Sequence, residues 1–231
     1  MMTTSNKLYL HPEEIKDGIY RPKVQLVLEI IDRLRQTYPE AGCELDYSTP
    51  YELLVATILS AQCTDEQVNE VTPKLFAAYP TPYACVQAPR LELEILIRPT
   101  GFYRQKAKFI QETSRILVDK YRGHVPDNMQ ELTQLPGVAR KTANVVLGEC
   151  FDVAEGITVD THVSRLANRL GLSNGKNAIK VENDLMKIVP QEEWIAVSYL
   201  LLFHGRGLCT ARKPACTECP LQDICPSAGL G

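Results

Sequence analysis

Residues 131–150 read ELTQLPGVARKTANVVLGEC, and this stretch decides what kind of fold the chain builds. Pro136 disfavours helical geometry at the residue before it, so a short helix should end near Gln134. Gly137 permits the tight turn that follows, and a second helix should run from about Arg140 through Val146. The result is two helices joined by a hairpin whose backbone N–H groups point outward at a helix N-terminus. Such a turn binds a phosphate without needing a basic side chain. Leu135 and Val138 would pack the hairpin down onto a core. A small turn between helices is common, so the neighbouring chemistry has to say whether this one does more than connect.

Outward from the hairpin the pattern is helical nearly throughout. Val24, Val27, Leu28, Ile31 and Leu34 recur at three- and four-residue steps and mark an amphipathic helix. Tyr51–Ala61 is apolar on most sides and reads as a buried helix, and 106–121, 181–189 and 194–204 also support helices. Breakers fall between them, at Pro80-Thr81-Pro82, Pro99-Thr100-Gly101, Gly123 with Pro126, and Pro190. No alternating pattern is long enough for a sheet, and no repeat or low-complexity linker interrupts the chain. An all-α fold is the expectation.

With 231 residues, 45% of them hydrophobic, the chain can bury a sizeable core in one domain or two lobes. Met1–Leu10 lacks the apolar run of a signal peptide, and the longest apolar stretches fall far short of a membrane span. A cytoplasmic protein with reduced thiols is therefore expected. Net charge is −3 with a pI near 5.9, which excludes a uniformly basic nucleic-acid coat. The distribution is uneven. Residues 11–70 hold twelve acids and five bases, whereas 98–124 hold seven bases against Glu112 and Asp119. That asymmetry is compatible with a localised anionic partner or with a solvated helix face.

Lys141 falls in the first turn of the second helix, beside Arg140. A cation there opposes the helix macrodipole, which prefers acids at the N-terminus. The same field favours the uncharged, nucleophilic amine. Near a phosphate-holding hairpin, such an amine suits Schiff-base chemistry on a nucleic-acid sugar; alone, it reads more readily as a solvated surface lysine. In Thr158-Val159-Asp160-Thr161-His162-Val163, the apolar positions Val159, Val163, Leu166 and Leu170 predict a helix starting at or just after Asp160. Asp fills an N-cap well, and a capped carboxylate is also held in fixed geometry. Near the C-terminus, Cys209, Cys216, Cys219 and Cys225 form a C-x6-C-x2-C-x5-C run, half of the chain's eight cysteines. Four thiolates suit zinc and equally an iron–sulfur cube; the spacing leaves the metal open. Disulfides are disfavoured in a chain with no sign of secretion.

Together LPGVARKTANVV, VDTHV, the early LLVATILSAQCTD and the terminal cysteine run resemble the endonuclease III family, helix–hairpin–helix DNA glycosylases that also nick abasic sites. The motifs stand in the family's order from about Leu53 to Cys225. The resemblance implies an all-α, two-lobed fold. A six-helix barrel with the helix–hairpin–helix would occupy 44–154, and an iron–sulfur lobe built from both chain ends would occupy 1–43 with 155–231. DNA would bind between them. By the same resemblance Lys141 falls on the catalytic lysine, Asp160 on the catalytic aspartate, and Cys209, Cys216, Cys219 and Cys225 on the ligands of a [4Fe–4S] cluster. Gln62 corresponds to the residue that fills the gap left by an extruded base, and Phe102 to the apolar wedge. Further DNA contacts would come from Leu135, Gly137, Val138, Ala139 and Arg140 of the hairpin, from Arg212 and Lys213 in the loop between Cys209 and Cys216, and from His162.

The implied function is base-excision repair of oxidised pyrimidines in double-stranded DNA by a monomeric glycosylase with abasic-site lyase activity and no membrane association. Two rivals remain at this point. A mismatch adenine glycosylase shares the fold and cluster but needs no lysine nucleophile, and a non-catalytic zinc-containing DNA-binding module would need neither Lys141 nor Asp160. The sequence departs from the family pattern at Ala139, where a second glycine is common; if that position required positive φ, Ala would cost about 1 kcal/mol. Some twenty residues also precede the first clear helix. Cys43, Cys63, Cys85 and Cys150 read as packing residues, and His124 and His204 show no ligand spacing.

Overall fold

The computed structural model describes residues 23–230; the N-terminal extension lies outside them. Every regular element among the described residues is helical, with eleven α-helices and three short 3-10 turns. The all-α expectation holds.

Residues Cys43–Glu155 form one compact unit. It contains α2 (Pro50–Leu59), α3 (Asp65–Ala78), α4 (Pro82–Gln87), α5 (Arg90–Leu96), α6 (Tyr103–Tyr121), α7 (Met129–Leu132) and α8 (Arg140–Phe151). Their starts follow from side-chain chemistry. Thr49, Thr64 and Thr81 accept the amide of the third residue onward in α2, α3 and α4, and Pro50 and Pro82 sit where a missing N–H costs nothing. Asn128 caps α7 and also bonds Glu131, a reciprocal cap. Eight of the ten α2 residues are buried, from Tyr51 to Leu59, so this helix is the centre of the unit's core. Cys85 is buried, and Cys43, Cys63 and Cys150 pack against the same core.

The sequence pattern did not single out α3, α4 and α5. α3 carries a helical stripe of Val68, Val71, Thr72 and Leu75, but Pro73 lies inside it and reads locally as a breaker. α4 and α5 span only six and seven residues, too few to display a 3.6-residue period.

The other unit comprises the described residues 23–42 and 156–230. Here α1 (Lys23–Thr37) packs on α11 (Trp194–Arg206), and α11 packs on α9 (Thr161–Arg169), which also meets α10 (Ala178–Leu185). The core joins Val27, Ile30, Ile31 and Leu34 of α1 to Val163, Leu166, Val197 and Leu201, and includes Leu221 from the cysteine-bearing segment. Arg33 ties that segment to α1, bonding Pro220 O at 2.9 Å and Asp223 Oδ1 at 2.5 Å. An N-terminal helix therefore braces the C-terminal loops.

Candidate functional site

The hairpin forms as its residues require. α7 ends at Leu132 and Val138 N–H bonds Leu135 O at 3.1 Å. Leu135 and Val138 are only 3% and 6% exposed, so their side chains belong to the core and only their backbone can meet a ligand. Thr113 of α6, itself fully buried, donates to Pro136 O at 2.9 Å and fastens the turn from below. Gly137 has φ +79°, and a Cβ there would meet Phe109 Cδ2 at 2.8 Å. Ala139 has φ −88° and ψ 169°, ordinary extended backbone, so the departure from glycine carries no strain.

Ala139 is the N-cap of α8 and makes no side-chain capping bond. The first turn of α8 has no acid; it carries exposed Arg140 and Lys141. First-turn amides have no intrahelical acceptor, so this end combines amide donors, a positive helix end and two cations. Arg140 also donates to Glu155 O at 3.1 Å, which ties its side chain to the segment leaving α8.

Asp160 lies in the other unit as the N-cap of α9, with Oδ1 accepting Val163 N–H at 2.8 Å. One oxygen of its carboxylate is thus used to hold the side chain still. Half-buried His162 places Nδ1 3.3 Å from Arg165. Gln62 and Phe102, both in the residue 43–155 unit, are exposed, Phe102 to 67%, and both have left-handed backbone, with φ 54° and 46°. Arg212 and Lys213 are exposed on their loop.

Cys209, Cys216, Cys219 and Cys225 line one cavity of about 180 Å³, walled by Leu166, Leu170 and Leu221. Burial raises the Cys219 thiol above its usual range, the Leu221 N–H opposes this, and the charges of Cys209, Cys225 and Cys216 raise it further. A cationic guest bound in the cavity would favour the thiolate of Cys219 against that burial. Among the described residues, no three His, Cys, Asp or Glu side chains are placed to hold a single metal ion. Four thiols lining a single cavity are a donor set that suits an iron–sulfur guest.

Three residues around this centre escaped the sequence reading. Arg169 donates to Cys209 Sγ at 3.3 Å, Thr210 O at 2.8 Å and Ala211 O at 2.9 Å. Arg165, one turn earlier, donates to Gly205 O at 2.8 Å and Cys209 O at 3.0 Å. Their four-residue spacing puts them on one face of α9, the only signal the sequence offered. His204 is buried, with Nε2 3.5 Å from Cys219 Sγ and Nδ1 3.1 Å from Tyr38 Oη. Burial pushes its pKa down to about 4. With Cys219 as a thiolate, Nε2–H donates to sulfur and Nδ1 accepts from Tyr38.

An all-helical arrangement with a hairpin between two helices, a lysine at the start of the second and a terminal four-thiol centre fits the class of helix–hairpin–helix DNA repair proteins. The comparisons narrow the class. Residues 55–191 match the model of the HhH-GPD superfamily base excision DNA repair protein, and 209–225 match that of the iron-sulfur binding domain of endonuclease III. Endonuclease III of Synechocystis sp. (strain PCC 6803) is 55% identical over 206 residues, covering 89% of this chain and 94% of that relative. Endonuclease III of Escherichia coli (strain K12) is 44% identical over 198 residues, covering 86% and 93%. The solved structure of a non-covalent endonuclease III–DNA complex superposes with TM-score 0.83 at 46% identity, over 89% of this chain and 96% of that one. A trapped endonuclease III–DNA covalent intermediate superposes equally well.

The chain belongs to the endonuclease III family. It is a base-excision repair DNA glycosylase for oxidised pyrimidines that also has abasic-site lyase activity, and its cofactor is a [4Fe–4S] cluster. No helix among the described residues is long and apolar enough to cross a membrane.

Proposed function

We propose that Lys141 is the nucleophile of this reaction and Asp160 its carboxylate partner. An oxidised base leaves the stack more readily than a sound one, which gives the enzyme its first selection. Gln62 would fill the vacated space and Phe102 would wedge the opposite strand. The Lys141 amine would then add to the sugar C1′ as the base departs with its bonding electron pair; the adduct loses a proton from nitrogen, and breaking of the C1′–O4′ bond, with O4′ taking a proton, opens the ring to the imine. Asp160 would stabilise positive charge developing on the sugar and help take up the proton lost from nitrogen. The imine acidifies C2′–H, and β-elimination breaks the bond to the 3′ phosphate. Phosphates would be held by the amides of Leu135, Gly137, Val138, Ala139 and Arg140, by Arg212 and Lys213, and near the lesion by His162.

Cys209, Cys216, Cys219 and Cys225 would hold the cluster. With all four sites protein-derived, the bound cluster supplies shape and charge, and Arg165 and Arg169 transmit that shape to the 209–216 loop through its carbonyls. The division into a barrel lobe at 44–154 and a cluster lobe at 1–43 with 155–231 is part of the same reading. So are a monomeric state, a cytoplasmic location and duplex DNA with damaged pyrimidines or abasic sites as the partner.

The observation that carries the reading is the uncapped start of α8, where exposed Lys141 stands with Arg140 and no acid. Borohydride reduction on an abasic duplex tests it. A covalent protein–DNA adduct forms with the parent and disappears with Lys141→Gln; equal trapping by the variant assigns the nucleophile elsewhere.

A further inference from the structure

Lys106 belongs to the basic stretch of the sequence, yet it is only 4% exposed and forms no part of a solvated face. Its ammonium donates to two backbone carbonyls, Leu59 O and Thr100 O, each at 2.7 Å. A compact ammonium is strongly hydrated, and an apolar side chain of similar length would fill the same space with far less desolvation. Burial lowers its pKa, and only neighbouring Cys63 opposes the shift. A position this unfavourable for a lysine points to the acceptors.

Leu59 is the last residue of α2, where helix geometry leaves carbonyls without intrahelical donors. Three residues later comes Gln62. Thr100 O is the carbonyl immediately before Gly101, and two residues after Thr100 comes Phe102. Among the described residues four non-glycines have positive φ: Gln62, Phe102, Arg122 and Asp152. Arg122 and Asp152 close α6 and α8 as left-handed C-caps, an ordinary place for that conformation. Gln62 and Phe102 close no helix. Strain of this kind persists only where the surroundings over-determine it, and Lys106 is bonded to the backbone just ahead of both.

We propose that Lys106 is a positioning residue for duplex opening, its ammonium joining the Gln62 turn to the Phe102 turn so that both side chains are presented to DNA as one rigid unit. The inference rests on the assignment of Gln62 and Phe102 as the residues that enter the duplex. It places the specificity of the extrusion step partly in a side chain that touches no DNA.

The test is a mutant cycle on the full-length, cluster-loaded enzyme with two substrates. One is a duplex carrying a single oxidised pyrimidine next to 2-aminopurine, whose fluorescence rises on unstacking. The other is an abasic single strand, which requires no extrusion and is followed by borohydride trapping. Lys106→Met is expected to slow unstacking and duplex excision on the order of tenfold more than it slows single-strand trapping. Adding Gln62→Ala and Phe102→Ala to it should deepen the deficit far less than those changes do in the parent. Lys106→Arg, which keeps the positive charge and several N–H donors, should restore part of the rate. Should Lys106→Met fail to fold, Lys106→Gln, which keeps one donor group, carries the same comparison. Equal loss on both substrates, deficits that multiply, or unstacking at the parent rate would each overturn the clamp. If Gln62→Ala and Phe102→Ala leave unstacking unchanged, the assignment of the inserting residues is what fails, and the clamp goes with it.

Discussion

Gly137 and Ala139, two positions apart in the hairpin, show how a tight turn divides its requirements. The first needs left-handed backbone and lies against Phe109, with 2.8 Å between a would-be Cβ and that ring. The second has extended geometry that any residue adopts. Gly137→Ala should therefore destabilise the protein by about 1–3 kcal/mol, from the φ penalty plus displacement of the ring. Ala139→Gly should change stability by less than about 1 kcal/mol and leave DNA affinity unaltered. Urea unfolding midpoints check both, and equal midpoints for the two variants would remove the distinction. The turn at Gly137 was legible from Pro136-Gly137 alone. The contact with Phe109 was not, because nothing local in the sequence says which residue of α6 lies under the hairpin.

At the scale of one helix, α9 carries two functions on two features. Its N-cap is Asp160, and a cap contributes through hydrogen bonding that asparagine reproduces as well as aspartate. Asp160→Asn should keep the unfolding midpoint of the parent while losing excision by at least about two orders of magnitude, because the oxyanion is gone. Asp160→Ala should lose excision similarly and also cost about 1 kcal/mol of stability. Paired thermal scans and single-turnover assays separate the two effects; an active Asp160→Asn would leave the residue a cap and nothing more. The start of α9 was readable from Val159, Val163, Leu166 and Leu170. Its other face was not: Arg165 and Arg169 look like solvent-facing bases in the sequence, yet they bond carbonyls forty or more residues away. Helix α3 was missed for the opposite reason, since Pro73 masked a stripe that packing tolerates.

Across the whole molecule, a net charge of −3 has to coexist with binding to a polyanion. On the footprint proposed above, local arrangement resolves this, with amides at the α8 N-terminus and a few exposed cations serving in place of a general basic coat. Reversing one cation should therefore be visible. Lys213→Glu should weaken binding to undamaged duplex and reduce the slope of log affinity against log salt by about 1. Titrations at several salt concentrations measure it, and an unchanged slope would take the 209–216 loop out of the footprint. By itself the sequence determined the all-helical fold, the hairpin, the cap at Asp160 and the four-thiol run, because each depends on neighbours a few residues apart and on backbone rules that act locally. Tertiary structure alone decided that Lys106 is buried on Leu59 O and Thr100 O, that His204 stands between Tyr38 and Cys219, and that Arg169 braces the cysteine loop. Those bonds link positions six to 166 residues apart, most of them more than a dozen. Which carbonyl or sulfur a long polar side chain finds is settled by how distant helices pack, and no periodicity in the chain encodes it.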